Sequence, residues 1–457
     1  MPAPNPPQSP PGVPGPTGGG RHTPGRAASI PIAPEPAQDA HSDYLSAAEA
    51  VALLKVRPQT LYAYVSRGWI CSVAQPGHKE KLYRRTDVDR VRKRSEARAG
   101  HGPVAASAMN WGEPILPTSI TEITPQGPRY RGRLAADLVN DGASFEAVAE
   151  LLWSGELPAE PPLWPVRRQA EGLLALTRAM STSNPSGNVL EIFAIVVLMM
   201  GLNHGSTEQR LARGCTLPAA REIIQAMVAC CGFIGPAGCY RPMRRGETVL
   251  QALSRSLGMA PTAQNSEALR ALLILLADHE LPPGTLSARV VASAGASLQS
   301  CLASAFCATS GVELGRMYER VQDFLAHGKT RGSFMRRARR LLAQGQNVPG
   351  FHHPLYPAGD PRAAQLLDMV RSCRGQTRES RAIFGFLDDM RESAGLHPRQ
   401  EFAVAVLTRS LELPRQAAPA LFALARLAGW VAHVREQRVD GTLLRPRAKF
   451  VAGGERP

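Results

Sequence analysis

The pattern of apolar and polar positions divides the chain into three stretches. Residues 1–41 are rich in Pro, Gly, Ala and Ser and hold almost no large apolar side chain. Such a segment cannot offset the entropy cost of ordering, so it is predicted to be a disordered tail. Residues 42–98 carry short apolar repeats at helical spacing, and a small, polar linker at 99–110 leads into long amphipathic patterns over 111–451. The pattern predicts a small N-terminal domain followed by an all-α body.

The N-terminal domain begins with two predicted helices joined by a tight turn. Ser46 and Glu49 have the spacing of a capping box, which marks the start of a helix of two to three turns. Pro58 stands where a first-turn proline would begin the second helix. Two short strands are predicted over 69–85 and a third helix over 87–98. This order of elements is typical of a winged helix-turn-helix.

Positive charge is concentrated on the same domain. Residues 55–98 hold twelve Lys and Arg against four Asp and Glu, whereas the whole chain has a formal charge of +15. A basic patch of this kind binds phosphate backbones, although a merely solvated charged face is the alternative. The segment resembles the winged helix-turn-helix of the MerR and excisionase families, which implies DNA binding. The residues predicted to contact DNA are Arg57, Gln59, Thr60, Tyr62, Arg67, Lys79, Lys81 and Arg84.

A loop punctuated by Gly and Pro gathers the most conspicuous chemistry of the body. The stretch 349–362 contains the adjacent histidines His352 and His353 and ends at Arg362. Its three prolines remove backbone donors and push the preceding residues toward extended conformations, so a rigid, non-helical loop is predicted.

Cysteine usage and hydropathy limit the class of protein. The eight cysteines form no C-x-x-C pair and have no histidine at zinc-ligand spacing, so they are predicted to be reduced and mostly buried, without a metal site. The first forty residues carry no apolar signal region. The longest apolar run, 189–202, is too short to span a bilayer and predicts a buried helix. These features predict a cytoplasmic protein without membrane contact.

Five blocks of the body resemble the citrate synthase family and occur in that family's order. They lie at 118–158, 277–280, 350–362, 422–433 and 445–447. The resemblance covers residues 111–451. It implies the citrate synthase fold, with a large helical domain and a smaller one around 311–415, and a homodimer.

The polar residues in these blocks suit a dicarboxylate. Three arginines, Arg362, Arg426 and Arg445, can hold carboxylates bidentately, and His279 and His353 can donate to a keto acid. The resemblance implies that all five bind oxaloacetate or citrate, with Arg445 supplied by the partner subunit. It also implies that His353 polarises and protonates the ketone. For each arginine, an ordinary surface or interface ion pair is the alternative.

Two positions depart from the family pattern. Glu401 stands where the family has an aspartate as the catalytic base, and its longer side chain can displace the carboxylate by about 1 Å, which can cost about a hundredfold in rate. Leu314 stands where the family has the histidine that stabilises the enol. Loss of one such donor costs about 2.7 to 4 kcal/mol. His352 is an alternative imidazole donor, or else an extra loop histidine.

The resemblance implies an acyltransferase that condenses acetyl-CoA with oxaloacetate to give citrate, here with weak or altered activity. Acetyl-CoA and CoA are then substrate and product, and no cofactor is permanently bound. The alternative is a catalytically impaired, DNA-binding transcriptional regulator that senses citrate, oxaloacetate or an acyl-CoA by domain closure. A symmetric dimer would present two DNA-reading heads to a palindromic site.

Overall fold

The structure is a computed structural model that describes residues 44–66, 70, 72–74, 81–85, 87–89, 91–92, 116–183, 188–202, 216–311, 315–373 and 377–446. The chain divides between Ile115 and Leu116 into two compact units, an N-terminal unit and a body. The predicted tail and linker lie outside the described residues, as do Arg67, Lys79 and Leu314.

The N-terminal unit combines two helices with a three-stranded antiparallel sheet. Its elements are β1 (Tyr44–Leu45), α1 (Ala47–Leu54), α2 (Pro58–Ser66), β2 (Ser72–Ala74) and β3 (Lys81–Arg84). The predicted capping box is present, because the side chains of Ser46 and Glu49 each accept from the other residue's backbone N–H. The strand order is β1-β3-β2, with Leu45 opposite Tyr83. Residues 87–89 and 91–92 are helical, and the rest of the predicted third helix lies outside the described residues.

The body is mostly helical, as predicted. Its helices are α3 (Ala135–Asn140), α4 (Phe145–Ser154), α5 (Glu171–Ser183), α6 (Val189–Leu202), α7 (Thr216–Cys230), α8 (Val249–Leu257), α9 (Ala263–Leu275), α10 (Pro283–Ser293), α11 (Leu298–Thr309), α12 (Gly315–Ala326), α13 (Arg331–Ala343), α14 (Pro361–Cys373), α15 (Arg378–Ala394), α16 (Gln400–Ser410) and α17 (Ala417–Asp440). A single 3₁₀ turn, Cys231–Phe233, follows α7.

A small antiparallel sheet precedes the helices, so the prediction of an all-α body is wrong at this point. Its strands are β4 (Thr121–Thr124), β5 (Gly127–Tyr130) and β6 (Arg133–Leu134). Strands of two to four residues are too short to show a period of two in the sequence. The sheet has a definite role, because the buried Tyr130 hydroxyl lies within hydrogen-bonding distance of the carbonyls of Ile274 and Asp278, at 3.0 and 3.2 Å. It thereby fixes the turn that leads to His279.

Helix α17 runs through the middle of the body. It is the one helix among the described residues that is long and apolar enough to cross a membrane, and 94% of its most apolar window is buried inside the protein. A helix that is apolar all round belongs in a core. It packs against α4, α9, α10 and α11 and brings Arg426 to the interior.

Helix α6 was predicted to be buried, and this is only half right. Val189, Phe193 and Val197 are fully buried. On the opposite face, Ile195, Leu198 and Leu202 are 48%, 47% and 79% exposed. The apolar run therefore has two faces, of which only one packs into the body.

Five phenylalanines form the core beneath the loop 349–360, which contains His352 and His353 and is called the histidine loop. They come from α12, α13, α15, α16 and the loop itself, and neighbouring rings lie 5.1 to 5.9 Å apart between centroids; they are Phe324, Phe334, Phe351, Phe386 and Phe402. Aromatic contacts of this kind add stability beyond simple burial. The loop is thus seated on a rigid cluster rather than on solvent.

Replacing Gly429 with alanine is expected to destabilise the body by about 1 to 3 kcal/mol. The Gly429 N–H donates to the carbonyl of Ala277 at 3.0 Å. A Cβ at this position would overlap Oδ1 of Asp278 and lie 2.6 Å from the Ala277 oxygen. Urea unfolding followed by circular dichroism measures the effect.

The matched control for this variant is Gly332→Ala in α13. A Cβ there would meet only Nη1 of Arg336 at 3.6 Å, so alanine is expected to stabilise by about 0.4 to 1 kcal/mol through the unfolded state. Equal effects of the two changes would contradict a packing role for Gly429.

Candidate active site

Two segments distant in sequence pair to form one wall of the site. Phe351 and Pro398 form an antiparallel bridge, and the N–H of Arg399 donates to the carbonyl of Gly350 at 2.7 Å. Gly350 has a φ of +75°, and a Cβ there would lie 2.9 Å from Phe402 Cβ, so the close approach requires glycine. The pairing brings the start of α16, with Glu401, beside the histidine loop.

The histidine loop is shorter than predicted. Pro361 occupies the first turn of α14, and Arg362 is the second residue of this helix, so the prediction of a non-helical segment through Arg362 is wrong. Proline is favoured at a helix N-terminus because its missing donor is not needed there. His352 has a φ of 61° and faces solvent, whereas His353 is 8% exposed. The structure therefore does not bring His352 to the site.

His353 and Arg362 direct donors toward the same point. The N–H of Leu355 donates to Nδ1 of His353 at 3.2 Å, so in the neutral ring Nε2 carries the proton. Nη2 of Arg362 lies 3.5 Å from this Nε2. Two neighbouring donors cannot satisfy each other, and a shared acceptor such as a ketone or carboxylate oxygen would satisfy both.

Asp360 is a site residue that the sequence reading missed. Its carboxylate accepts from Nε and Nη2 of Arg362, both at 2.9 Å, and from the N–H of Gln400 at 3.1 Å. It thereby orients the arginine and caps the N-terminus of α16, where the side chain of Arg399 makes no cap. The Asp-Pro-Arg spacing was the available signal, since a carboxylate two residues before a buried arginine can fold back onto it.

His279 is buried against the inner side chains of the histidine loop. Its ring centroid is 5.6 Å from that of His353, and its Nε2 is 3.1 Å from the hydroxyl of Tyr356. Tyr356 is also buried and is a second residue that sequence reasoning missed. Burial, reinforced by the nearby Arg362 and Arg426 charges, lowers the pKa of His279 well below its ordinary value. The imidazole is therefore neutral at pH 7.

Arg426 is buried within α17 and is the second cation of the site. It is 2% exposed, and its hydrogen bonds go to carbonyl oxygens, from Nε to Leu276 at 2.9 Å and from Nη1 to His279 at 3.4 Å. Its guanidinium also stacks over Phe422 at 4.9 Å. A buried cation held only by neutral dipoles carries a large desolvation cost that an anionic ligand offsets. Because the charge of Arg362 is paired with Asp360, Arg426 is the cation of the site that an anionic ligand would neutralise.

The structure places Arg445 away from these residues. Arg445 is exposed in the segment that follows α17. The neighbouring Leu444 N–H donates to Ser293 at the C-terminal end of α10, whereas His279 precedes the N-terminal end of this helix. Eleven helical residues separate the two ends by roughly 16 Å. The site of one chain thus contains two of the three predicted arginines.

Glu401 lies at the edge of the site and is held by an arginine. Nε and Nη2 of Arg399 contact its two carboxylate oxygens at 3.1 and 2.8 Å. The glutamate side chain is 10% exposed and the arginine 26%. A bidentate pair of this kind occupies two of the roughly four lone-pair sites of the carboxylate and restrains its orientation. The sequence reading named Glu401 but missed that Arg399 restrains it.

A small cavity of about 30 Å³ adjoins Glu401 and Arg426. It is lined also by Gly284, Tyr318 and Trp430, and the buried indole Nε1 of Trp430 has no hydrogen-bond partner. A cavity of this size holds about one water molecule. A space of this size beside the carboxylate and the arginine can accept a methyl-sized group.

A buried hydrogen-bonded network supports the His279 turn from behind. Oδ2 of Asp278 accepts from Thr121 at 2.6 Å and lies 3.2 Å from Nε2 of His433. Nδ1 of His433 is 3.4 Å from Nη1 of Arg289, which donates to Glu436 at 2.8 Å. The network links β4, α10 and α17, and so fixes the position of the turn. Among the described residues, no three His, Cys, Asp or Glu cluster in a way that could hold a metal ion.

Acidification is expected to destabilise the body through His353. Burial and the Arg362 charge lower its pKa to about 4, against about 6.5 in an unfolded chain. Between these values the unfolded state binds the extra proton, so stability is full above pH 6.5 and falls as pH drops toward 4, by at most about 1.4 kcal/mol per pH unit. The His353→Asn variant should show a shallower fall in unfolding free energy over this window.

The control for the acid experiment is His352→Asn, which changes the neighbouring, exposed histidine and keeps the buried His353, so the fall in unfolding free energy toward pH 4 should persist. Urea titrations at several pH values between 7 and 4 give the slopes. A His353→Asn slope identical to wild type would contradict the burial of a neutral His353.

The fold and the cluster of His279, His353, Arg362 and Arg426 define a helical protein with a buried, arginine-containing site. The sequence profile described as "Citrate synthase, C-terminal domain" matches residues 109–447. Because this match covers most of the chain, the chain belongs to the citrate synthase family.

Individual relatives agree with this assignment. Citrate synthase 2 of Bacillus subtilis is 27% identical over 354 residues, covering 73% of this chain and 92% of that protein. The 2-methylcitrate synthase of Shewanella oneidensis is 26% identical, covering 74% and 92%. The structure of citrate synthase from Thermoplasma acidophilum, solved as a ternary complex with carboxymethyl coenzyme A and oxaloacetate, aligns with a TM-score of 0.64 at 23% identity, covering 75% and 95%. At this identity the structural likeness establishes the fold alone.

Proposed function

We propose that the body binds oxaloacetate, or the product citrate, between His279, His353, Arg362 and Arg426, and that it condenses oxaloacetate with an acyl-CoA, acetyl-CoA being the first candidate. The carrying observation is the pair of neighbouring donors on His353 and Arg362, 3.5 Å apart, which a ketone or carboxylate oxygen satisfies together. The neutral His353 polarises the carbonyl through its Nε2 proton, which it passes to the oxygen as the carbon-carbon bond forms.

We also expect the rate of condensation to be low. Glu401 must take a proton from the acyl methyl group, and the bidentate contact with Arg399 competes for its lone pairs. Leu314 lies outside the described residues. It stands where the family pattern has a histidine, and leucine has no donor for the enol oxygen. Binding of the keto acid depends on neither residue, so affinity is retained while turnover falls.

Release of CoA from acetyl-CoA in the presence of oxaloacetate tests the enzyme proposal. The expected result is slow, oxaloacetate-dependent release that Glu401→Gln abolishes. Calorimetric titration with oxaloacetate or citrate gives binding independently of turnover. Absence of both binding and release would overturn the proposal, and binding without release would leave a ligand sensor.

We also propose a second function for the N-terminal unit, as a winged helix-turn-helix that binds DNA and makes the chain a ligand-sensing regulator. The supporting observation is a set of exposed polar side chains. On α2 and just before it, Arg57 and Gln59 are exposed, Tyr62 is 57% exposed and Thr60 is half-buried. Lys81 and Arg84 are exposed on β3. Side chains of this kind on a second helix suit contacts with base edges and phosphates.

Fluorescence anisotropy with duplex DNA from the region upstream of the gene tests the second function. Affinity should fall steeply with salt, and an Arg57→Gln/Lys81→Gln variant should bind more weakly and with a smaller salt dependence. Binding that is absent at low salt, with and without citrate, would overturn it.

The partner that we propose for the body is a second copy of the chain. The apolar stripe Ile195, Leu198 and Leu202 on α6 supports this, because three neighbouring exposed apolar residues on one helix face indicate an interface. A homodimer also offers a place for Arg445, which would reach the site of the partner subunit. Sedimentation equilibrium should give the dimer mass, and a monomer at micromolar concentration would contradict the proposal.

A further inference from the structure

The body carries a basic surface of its own. Residues 329–344 hold six Lys and Arg and no Asp or Glu. Most of this segment is helix α13. Neither the candidate active site nor the proposed dimer stripe uses any of these residues.

Helix α13 separates its apolar and cationic side chains cleanly. Phe334, Met335 and Ala338 are buried against the body. Arg336, Arg339 and Arg340 are exposed. Their spacing of three and four residues places them on one face, with neighbouring Cβ atoms about 5 to 6 Å apart.

The remaining arginines of the helix have structural partners. Arg331 makes a bidentate pair with Asp389 of α15, and Arg337 lies over the ring of Phe324 at 5.6 Å. These contacts hold the helix in place. They leave Lys329, Arg336, Arg339 and Arg340 as the solvent-facing set, which is called the α13 patch below.

The carboxylates packed nearby do not neutralise the patch. Asp388 and Glu392 of α15 lie 3.4 and 3.9 Å from Nη2 of Arg391, and Asp389 already pairs with Arg331, although Arg339 also contributes to lowering its pKa. These three carboxylates therefore contact Arg331 and Arg391, neither of which belongs to the patch. The four cations of the α13 patch remain in excess.

The shape of the patch selects the kind of partner. A single small anion is usually held by buried donors in a concave site, whereas these guanidinium groups stand on a convex helix face. A membrane surface would also require several exposed apolar side chains, and the described residues of α13 expose only one large one, Leu342, at 40%. A row of exposed cations on a rigid helix fits an extended polyanion, such as duplex DNA with one negative charge per roughly 1.7 Å of axis.

We propose that the α13 patch is a second contact with the phosphate backbone of double-stranded DNA, made by the citrate synthase-like body itself. This inference rests on the proposed DNA binding by the N-terminal unit. That unit would supply sequence recognition, and the α13 patch would add affinity that is independent of sequence.

The test uses the full-length protein and duplex DNA, with affinity measured by anisotropy over a series of KCl concentrations. Arg336→Gln/Arg339→Gln/Arg340→Gln should lower affinity at least tenfold at low salt. The slope of log K against log salt should become shallower by about 2 to 3, at about 0.9 for each lost phosphate contact. Thermal melting checks that the exposed substitutions leave the fold intact.

The matched control is Arg378→Gln/Arg381→Gln on α15, compared with the double variant Arg336→Gln/Arg340→Gln of the patch. Arg391 is left in place because it pairs with Asp388 and Glu392. The control removes the same charge from exposed positions of a neighbouring helix that also carries Glu379, Asp388, Asp389 and Glu392. This control should keep the wild-type salt slope. Equal behaviour of both double variants and wild type would overturn the inference while leaving the N-terminal proposal standing.

Two further outcomes would show that the α13 patch binds another ligand or no DNA. If the α13 variant binds DNA normally but binds CoA or anionic lipid vesicles more weakly than wild type, the patch serves that anion and the inference is wrong. If wild-type protein binds no DNA at any salt concentration, the proposed DNA binding falls, and this inference falls with it.

Discussion

Replacing Arg362 with glutamine should destabilise the body by about 3 to 5 kcal/mol and weaken oxaloacetate binding by two to three orders of magnitude. The first effect follows because Asp360, whose side chain is fully buried, loses its partner. The second follows because the charge-assisted hydrogen bonds from the Nη N–H groups that Asp360 does not use are lost to the ligand, at about 1.5 to 3 kcal/mol for each bond. Urea unfolding and calorimetric titration measure the two effects separately.

Two further variants separate stability from binding. Arg371→Gln, at an exposed position on the same helix, should change stability by at most about 1 kcal/mol, through its contact over the ring of Phe384, and leave binding intact. Asp360→Asn/Arg362→Gln should recover part of the stability, because no unpaired charge remains, but none of the binding. Oxaloacetate affinity that survives in the double variant would place the ligand somewhere other than the proposed site.

Replacing Arg399 with asparagine should raise the rate of CoA release by about ten- to a hundredfold. The change frees both oxygens of Glu401 from the guanidinium, and a positioned general base contributes about a hundred- to ten thousandfold to such proton transfers. The kcat should rise more than the oxaloacetate KM changes, because the arginine contacts the base rather than the keto acid.

The specificity of this gain can be checked in the same assay. Adding Glu401→Gln to Arg399→Asn should remove the increase, and Arg399→Lys, which keeps the charge but loses the bidentate geometry, should give an intermediate rate. If Arg399→Asn leaves turnover unchanged or lowers it, the ion pair does not limit the reaction, and Arg399 contributes to the site in another way.

Sequence blocks were sufficient to find the family and most of the cationic site. His279, His353, Arg362 and Arg426 all lie in short motifs, and the structure brings these four together although the predicted contacts with ligand remain a proposal. These residues could be found because each motif carries its own chemistry. Their partners could not, because Asp360 and Tyr356 are ordinary residue types whose importance comes from where they point.

The two adjacent histidines of the loop also show what the sequence alone could not predict. His352 and His353 are neighbours in sequence, yet one is exposed and the other 8% exposed. Which of the two enters the site depends on the positive φ of His352 and on the bridge between Phe351 and Pro398. No local pattern distinguishes them, since that bridge joins segments more than forty residues apart.

The sequence by itself determined the helical class of the body, the family and the identity of the buried arginines, because periodicity and motif residues are local properties of the chain. Only the tertiary structure decided that Arg399 restrains Glu401, that Arg445 lies away from Arg362 and Arg426 of its own chain, and that half of α6 is exposed. Those facts depend on packing between distant segments. The free energy of a side chain depends on its neighbours in space, and the linear order of residues does not specify them.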